Sequence, residues 1–108
     1  MIKVDIKPMS VNEAWKGKRY KSDRYKAYET ELLYRLPNCK TPTPPLKITY
    51  EFGFSNVNSD IDNPVKALQD ILQRKYQFND KDIYQMIVTK VVVLKGQEYI
   101  KFDIDSIR

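Results

Sequence analysis

Residues 58–72 read NSDIDNPVKALQDIL, with Asp60 and Asp62 two positions apart at the mouth of a helix pattern and Lys66 one turn further on. In extended chain, side chains at i and i+2 project to the same side. Two carboxylates held that close repel each other, an arrangement better tolerated when a cation sits between them. Oxygen donors without nitrogen or sulfur suit Mg²⁺ or Mn²⁺. Such an ion activates a water and neutralises charge at a phosphoryl centre. A lysine at the positive end of a helix is unfavourable for stability. Beside acids and a phosphate it makes sense, as electrostatic stabilisation of a pentacovalent transition state. Asp80 and Asp82 follow the helix in FNDKD and offer further carboxylates. A helix of about 13 residues is roughly 20 Å long, so the two acidic ends meet only if the next strand returns toward Asp62.

Blander readings compete at each position. Asp62-Asn63-Pro64 is also a good helix N-cap, with proline at the first helical position. Lys66 and Asp70 are spaced as an i,i+4 surface pair, and acids in a loop are often solvated turn residues. Asp5-Ile6-Lys7 offers the D-x-K of another nuclease class, but no acidic residue precedes it. The metal reading is favoured by the combination of acids at both ends of one helix, a nearby lysine and a basic chain.

That basicity is 19 Lys/Arg against 14 Asp/Glu, a formal charge of +5, which tilts toward polyanionic partners. No histidine is present, which excludes Ser-His-Asp and Cys-His nucleophiles and His-ligated zinc. A single cysteine, Cys39, cannot make an internal disulfide or a thiolate zinc site, and points to a reducing, cytoplasmic setting. No apolar run approaches the roughly 20 residues of a membrane span, and charges interrupt the N-terminal stretch, unlike a signal peptide. Any catalysis must rest on carboxylates, lysine, tyrosine or an oxygen-bound metal.

The elements that must position these groups follow from periodicity. IKVDIK (2–7) alternates as a half-buried strand. WKGKRYKSDRY is irregular in its first half; from Ser22 or Asp23, Tyr25, Tyr28, Leu32 and Leu36 recur at helical spacing until Pro37. Four of six prolines fall within 37–46, a stiff connection. LKITYEFGF (46–54) is a second strand. A second helix runs from about 63 to 76 with Val65, Leu68, Ile71, Leu72 and Tyr76 inward. IYQMIVTKVVVLK is a long strand, and QEYIKFDID is expected to pair with it across Lys95-Gly96. The order β-α-β-α-β-β predicts one α+β domain over 1–108, two helices packed on a mixed or antiparallel sheet.

Residues 15–26, WKGKRYKSDRYK, interleave Lys16, Lys18, Arg19, Lys21 and Arg24 with Trp15, Tyr20 and Tyr25. Basic residues beside aromatics are what phosphate contacts and base stacking require. A solvated basic loop whose aromatics pack inward is the alternative.

D60-x-D62-N63-x-x-K66, then D70-x-L72 and F78-N79-D80, resembles the RusA-like endodeoxyribonucleases, the small phage and prophage Holliday junction resolvases. The upstream P8-x-S10-x-N12, followed by Trp15 and basic residues, is similar to that family's N-terminal pattern, and the likeness spans roughly residues 8–90. It implies a homodimer acting on branched DNA, each subunit contributing one acidic, Mg²⁺-dependent site without a nucleotide cofactor, the two sites nicking symmetric strands of a four-way junction. Asp60, Asp62 and Asp80 match the catalytic aspartates and Lys66 the essential lysine. Where many members carry two adjacent acids in the later loop, this chain has Asn79-Asp80-Lys81-Asp82. Asp80 is aligned because Ile83 then falls where the next strand should begin; Asp82 is the alternative. The rival from another class is a non-catalytic basic module whose acids only cap a helix.

Overall fold

The computed structural model describes residues 1–10, 14–16 and 20–107, and of residues 15, 16, 20 and 21 the backbone. In chain order the elements are β1 (Ile2–Val4), β2 (Trp15–Lys16), β3 (Tyr20–Lys21), α1 (Asp23–Arg35), β4 (Leu46–Phe54), α2 (Val65–Tyr76), a 3-10 turn (Asp80–Asp82), β5 (Ile83–Val92) and β6 (Tyr99–Ser106). Four strands form one sheet in the order β1-β6-β4-β5, and β2 pairs with β3 in a small separate ribbon. The pairing of β4 with β5 is parallel, and that of β6 with both β4 and β1 is antiparallel. The expected α+β architecture, two helices on a mixed sheet, is the one found.

Two expectations need correction. β5 and β6 do not form a hairpin, because β4 lies between them. All five alternate residues of β4, from Leu46 to Phe54, are buried. A strand with that inward face belongs in the middle of a sheet, and residues 93–98 carry the chain past the end of β4 to its other side. The segment read as irregular before α1 contains the β2–β3 ribbon, with Trp15 opposite Lys21 and Lys16 opposite Tyr20.

Leu46, Ile48, Tyr50, Phe52 and Phe54 share one face of the sheet with Ile100 and Phe102. Both helices cover it. Tyr25, Tyr28 and Leu32 come from α1, and Leu68, Ile71, Leu72 and Tyr76 from α2, as the helical spacing predicted. Ser22 caps α1, its hydroxyl accepting the Tyr25 N–H at 3.0 Å, and Arg74 of α2 pairs with Glu29 of α1 at 3.2 Å. Each aromatic or leucine so buried contributes about 1.5–3 kcal/mol of transfer free energy.

The other face is polar. Lys47, Thr49 and Glu51 stand opposite Asp105, Asp103 and Lys101, and Lys101 reaches Glu51 at 3.2 Å. Here the Tyr99 ring lies across Gly53, where an added Cβ would come within 2.4 Å of a ring carbon. Only glycine leaves room for that ring, whose hydroxyl donates to Glu51 at 2.6 Å. The hydrogen bond from Tyr99, with Lys101 nearby, holds the Glu51 carboxyl below the ordinary carboxylate range.

Candidate active site

The residues ahead of α2 do not behave as a cap. The helix begins at Val65, its capping position is Pro64, and no side chain there accepts a backbone N–H. Asp60 and Asp62 instead use their main-chain carbonyls, which accept the N–H groups of Asn63 (3.3 Å) and Val65 (3.1 Å) in successive turns. Both carboxylates are exposed. Among the described residues neither is engaged by a hydrogen bond or an ion pair. The capping expected of Asp62 or Asn63 is therefore absent, because the tight turns aim the side chains outward instead of back at the helix.

A residue missed in the sequence holds this loop. Lys90, on β5, donates its Nζ to the carbonyls of Val57 (2.7 Å) and Ser59 (2.5 Å). Two main-chain oxygens on one ammonium fix the 57–59 segment against the strand, just ahead of Asp60. Its only sequence signal is that Lys90 is the sole charge between Ile83 and Leu94. A cleft opens beside the loop, lined by Lys7, Pro8 and Ser10 on one side and Ser55, Asn56 and Ser59 on the other. The fold thus brings the upstream P8-x-S10 element next to the acidic segment. Glu98 closes the cleft, accepting from the Ser55 hydroxyl at 2.7 Å and the Gly96 N–H at 2.8 Å.

Lys66 projects from the first turn of α2 and meets Asp70 at 3.0 Å, so the i,i+4 pairing is present. With more than half of its side chain exposed, such a pair contributes little and leaves the ammonium able to swing toward a phosphate. Asp70 also accepts from Gln73 Nε2, at 3.5 Å. Gln73 in turn accepts the Asp80 N–H at 2.9 Å, tying the later loop to the end of the helix. Asn79 caps the 3-10 turn, accepting the Lys81 N–H at 3.2 Å, and β5 starts at Ile83 with Asp80 and Asp82 both in the turn before it.

Asp80 does not close back on Asp60 and Asp62 within the chain. The parallel register sets Leu46 beside Ile83 at one end of the β4–β5 pair and Phe54 beside Val92 at the other. The acidic loop follows Phe54; Asp80 precedes Ile83. The 12 residues of α2 run back between these ends and separate them by about 18 Å. Among the described residues, no three carboxylate or thiol side chains gather around one point.

Of the basic segment, Arg24 is exposed in the first turn of α1. Lys16 and Lys21 contribute backbone to the β2–β3 ribbon; their side chains, and Lys18 and Arg19 entirely, lie outside the described residues.

A basic α+β domain with carboxylates exposed at a helix head and lysines on either side has the chemistry to meet a phosphodiester backbone. The chain is a member of the endodeoxyribonuclease RusA family, whose profile matches residues 5–102. That span takes in both helices and the loops at both ends of α2. Membership makes it a DNA endonuclease of the kind that resolves Holliday junctions. No curated protein matches the chain. Among the described residues, no helix is long and apolar enough to cross a membrane.

Proposed function

We propose that the chain is a Mg²⁺-dependent, homodimeric resolvase that cuts four-way DNA junctions by paired symmetric nicks, with Mn²⁺ as an alternative ion. The observation that carries this reading is the uncapped head of α2, where Asp60 and Asp62 are left outward by a helix that starts without them. A module whose acids merely cap a helix would engage them. The donor set fits the ion: two exposed carboxylates, with no nitrogen or sulfur ligand beside them, suit a hard cation that keeps several waters and takes substrate phosphate oxygens. When bound, such an ion supplies Lewis acidity at the phosphorus and lowers the pKa of an attacking water.

The chain's own residues do the rest. Asp60 and Asp62 would hold the ion and orient the water, and Asp80, at the far end of α2 in its own chain, would join them only from the second protomer of the proposed dimer. Lys66 leaves Asp70 and sets its charge against the scissile phosphate, where charge builds up in the transition state. Lys90 positions the loop through Val57 and Ser59, so that the carboxylates need no reorganisation when DNA arrives. Lys16, Lys18, Arg19, Lys21 and Arg24 grip the phosphate backbone, which sets position without reading sequence. A two-fold dimer presents two equivalent sites to a junction of approximate two-fold symmetry.

The test is a fluorescent four-way junction incubated with and without Mg²⁺. Asp62→Asn should bind the junction like the parent chain and cut it at least about 100-fold more slowly, the scale on which loss of one transition-state electrostatic contact is felt. Undiminished cutting by that variant removes the assigned role. No Mg²⁺-dependent nicking by the parent chain favours the non-catalytic binding module.

A further inference from the structure

A line of polar side chains runs along α2 from its head to the loop beyond its tail. Lys66, Asp70 and Gln73 follow at i, i+4 and i+7 and so stand on one stripe of the helix. The Lys66 ammonium and the Gln73 amide both donate to Asp70, and to the same oxygen, Oδ1, at 3.0 and 3.5 Å. Gln73 uses the other end of its amide for the later loop, Oε1 accepting the Asp80 N–H at 2.9 Å. The line thus joins the lysine assigned to the phosphate with the main chain of the third aspartate, across the helix that keeps them apart.

One acceptor oxygen shared by a cation and a neutral amide is an unequal contest. The ammonium holds the short bond, and the amide the long one, at the limit of hydrogen-bond reach. The Lys66 side chain is 57% exposed and that of Asp70 30%, so the lysine is the partner free to move, and a phosphate that draws it away has little to overcome. Its departure leaves Oδ1 to Gln73 Nε2, the donor already beside it. Bonds to an ionised acceptor are the short, strong ones. A firmer grip on one end of the amide restrains the other, and hydrogen bonds in a chain polarise one another.

We infer that Asp70 and Gln73 are positioning residues that pass the engagement of Lys66 on to Asp80. While Lys66 rests on Asp70, the Gln73 amide is held loosely, and the 79–82 turn with it. When Lys66 turns to a phosphate, Oδ1 of Asp70 takes the Gln73 Nε2–H alone, and Oε1 of the same amide fixes the Asp80 main chain. The third carboxylate is therefore set in place only when a phosphate has arrived. Neither positioning residue touches the reacting atoms. This inference rests on the roles proposed above for Lys66 and Asp80. In the proposed dimer, where Asp80 reaches the second protomer's centre, the line makes the state of one centre felt at the other. The reading it displaces is a surface ion pair at 66 and 70 beside an independent structural tie at 73, in which Asp80 is indifferent to Lys66.

Hydrogen exchange at the Asp80 amide, followed by NMR without DNA or metal, separates the two. Gln73→Met removes the acceptor and should speed exchange there about 5-fold, the size of one ordinary hydrogen bond. Lys66→Met imitates departure of the ammonium and should slow the same amide about 2-fold. That slowing should vanish when Lys66→Met is combined with Asp70→Ala. It should vanish too with Gln73→Glu, which keeps an acceptor for the Asp80 N–H but has no donor for Asp70. Lys75→Met, on the same helix but bonded to the Leu33 carbonyl, should change nothing. An Asp80 amide that ignores Lys66→Met, or answers Lys75→Met equally, overturns the inference. In cutting assays Gln73→Met should raise the Mg²⁺ concentration for half-maximal nicking about 10-fold at unchanged junction affinity, as loss of a group behind a metal ligand does. Nicking that saturates at the parental Mg²⁺ concentration also overturns it. A parent chain that never cuts, while its Asp80 amide still answers Lys66→Met, removes the roles given to Lys66 and Asp80 and leaves the link between them standing.

Discussion

The two edges of the sheet are built on opposite principles. β1 pairs over three residues only, and its flank carries Lys3, 3.8 Å from Asp5 and over the Tyr99 ring. Shortness and charge close that edge to a further strand. β5 runs for ten residues with exposed apolar side chains and its one charge turned aside. For the homodimer proposed above, the bare edge is the surface left open to a second copy. The difference also separates what keeps the chain folded, at the sheet centre, from what the proposed dimer would use, at the β5 edge.

The sharpest way to break the comparison is to charge the bare edge. Met86→Lys with Val92→Lys should weaken self-association at least about 100-fold, since like charges come face to face across the two-fold. Circular dichroism should stay that of the parent, because both side chains are already partly in water. Lys3→Ala at the β1 edge should leave sedimentation unchanged. An equal response at both edges erases the distinction.

Next in size is the sheet centre. Gly53→Ala places a Cβ against the Tyr99 ring and should cost about 1–3 kcal/mol in urea unfolding, the usual penalty of overpacking. The same measurement on Met86→Lys should move by less than about 0.5 kcal/mol if the edge serves assembly alone.

The smallest effect is a titration. Burial pushes the hydroxyls of Tyr25, Tyr76 and Tyr99 up to about 12 from an ordinary 10.0. The unfolded chain releases these protons first, so stability present below pH 10 is lost as pH rises toward about 12. Tyr99→Phe should make that alkaline decline shallower, read by denaturant midpoints across the range. An unchanged slope means Tyr99 does not contribute to it.

Much of the fold was legible because it is written in local period. The alternation in 46–54 and the helical spacing of Tyr25, Tyr28, Leu32 and of Leu68, Ile71, Leu72 each name their buried face, and the coordinates agree. Strand neighbours are not local. Nothing between Lys95 and Gln97 reveals that the chain passes over β4 instead of folding back on β5, since a turn looks the same in either case. The clue lay elsewhere, in a β4 too apolar on one face to stand at an edge. The site divides similarly. The spacing of Asp60, Asp62 and Lys66 could be read from one stretch, whereas the anchoring by Lys90 depends on a parallel pairing 30 residues away. The distance between Asp80 and Asp62 follows from that pairing too, because a helix joining two parallel strands must run back from one end of them to the other.

β6 sits between β1 and β4, so Ile2 lies opposite Phe102 and almost the whole chain separates the two. Until β6 is in place, β1 has nothing to lie against and β4 lacks one neighbour, so both contacts are long-range ones. A chain lacking Tyr99–Ser106 would therefore lose the strand that joins β1 to β4, and with it the closure of the sheet on that side.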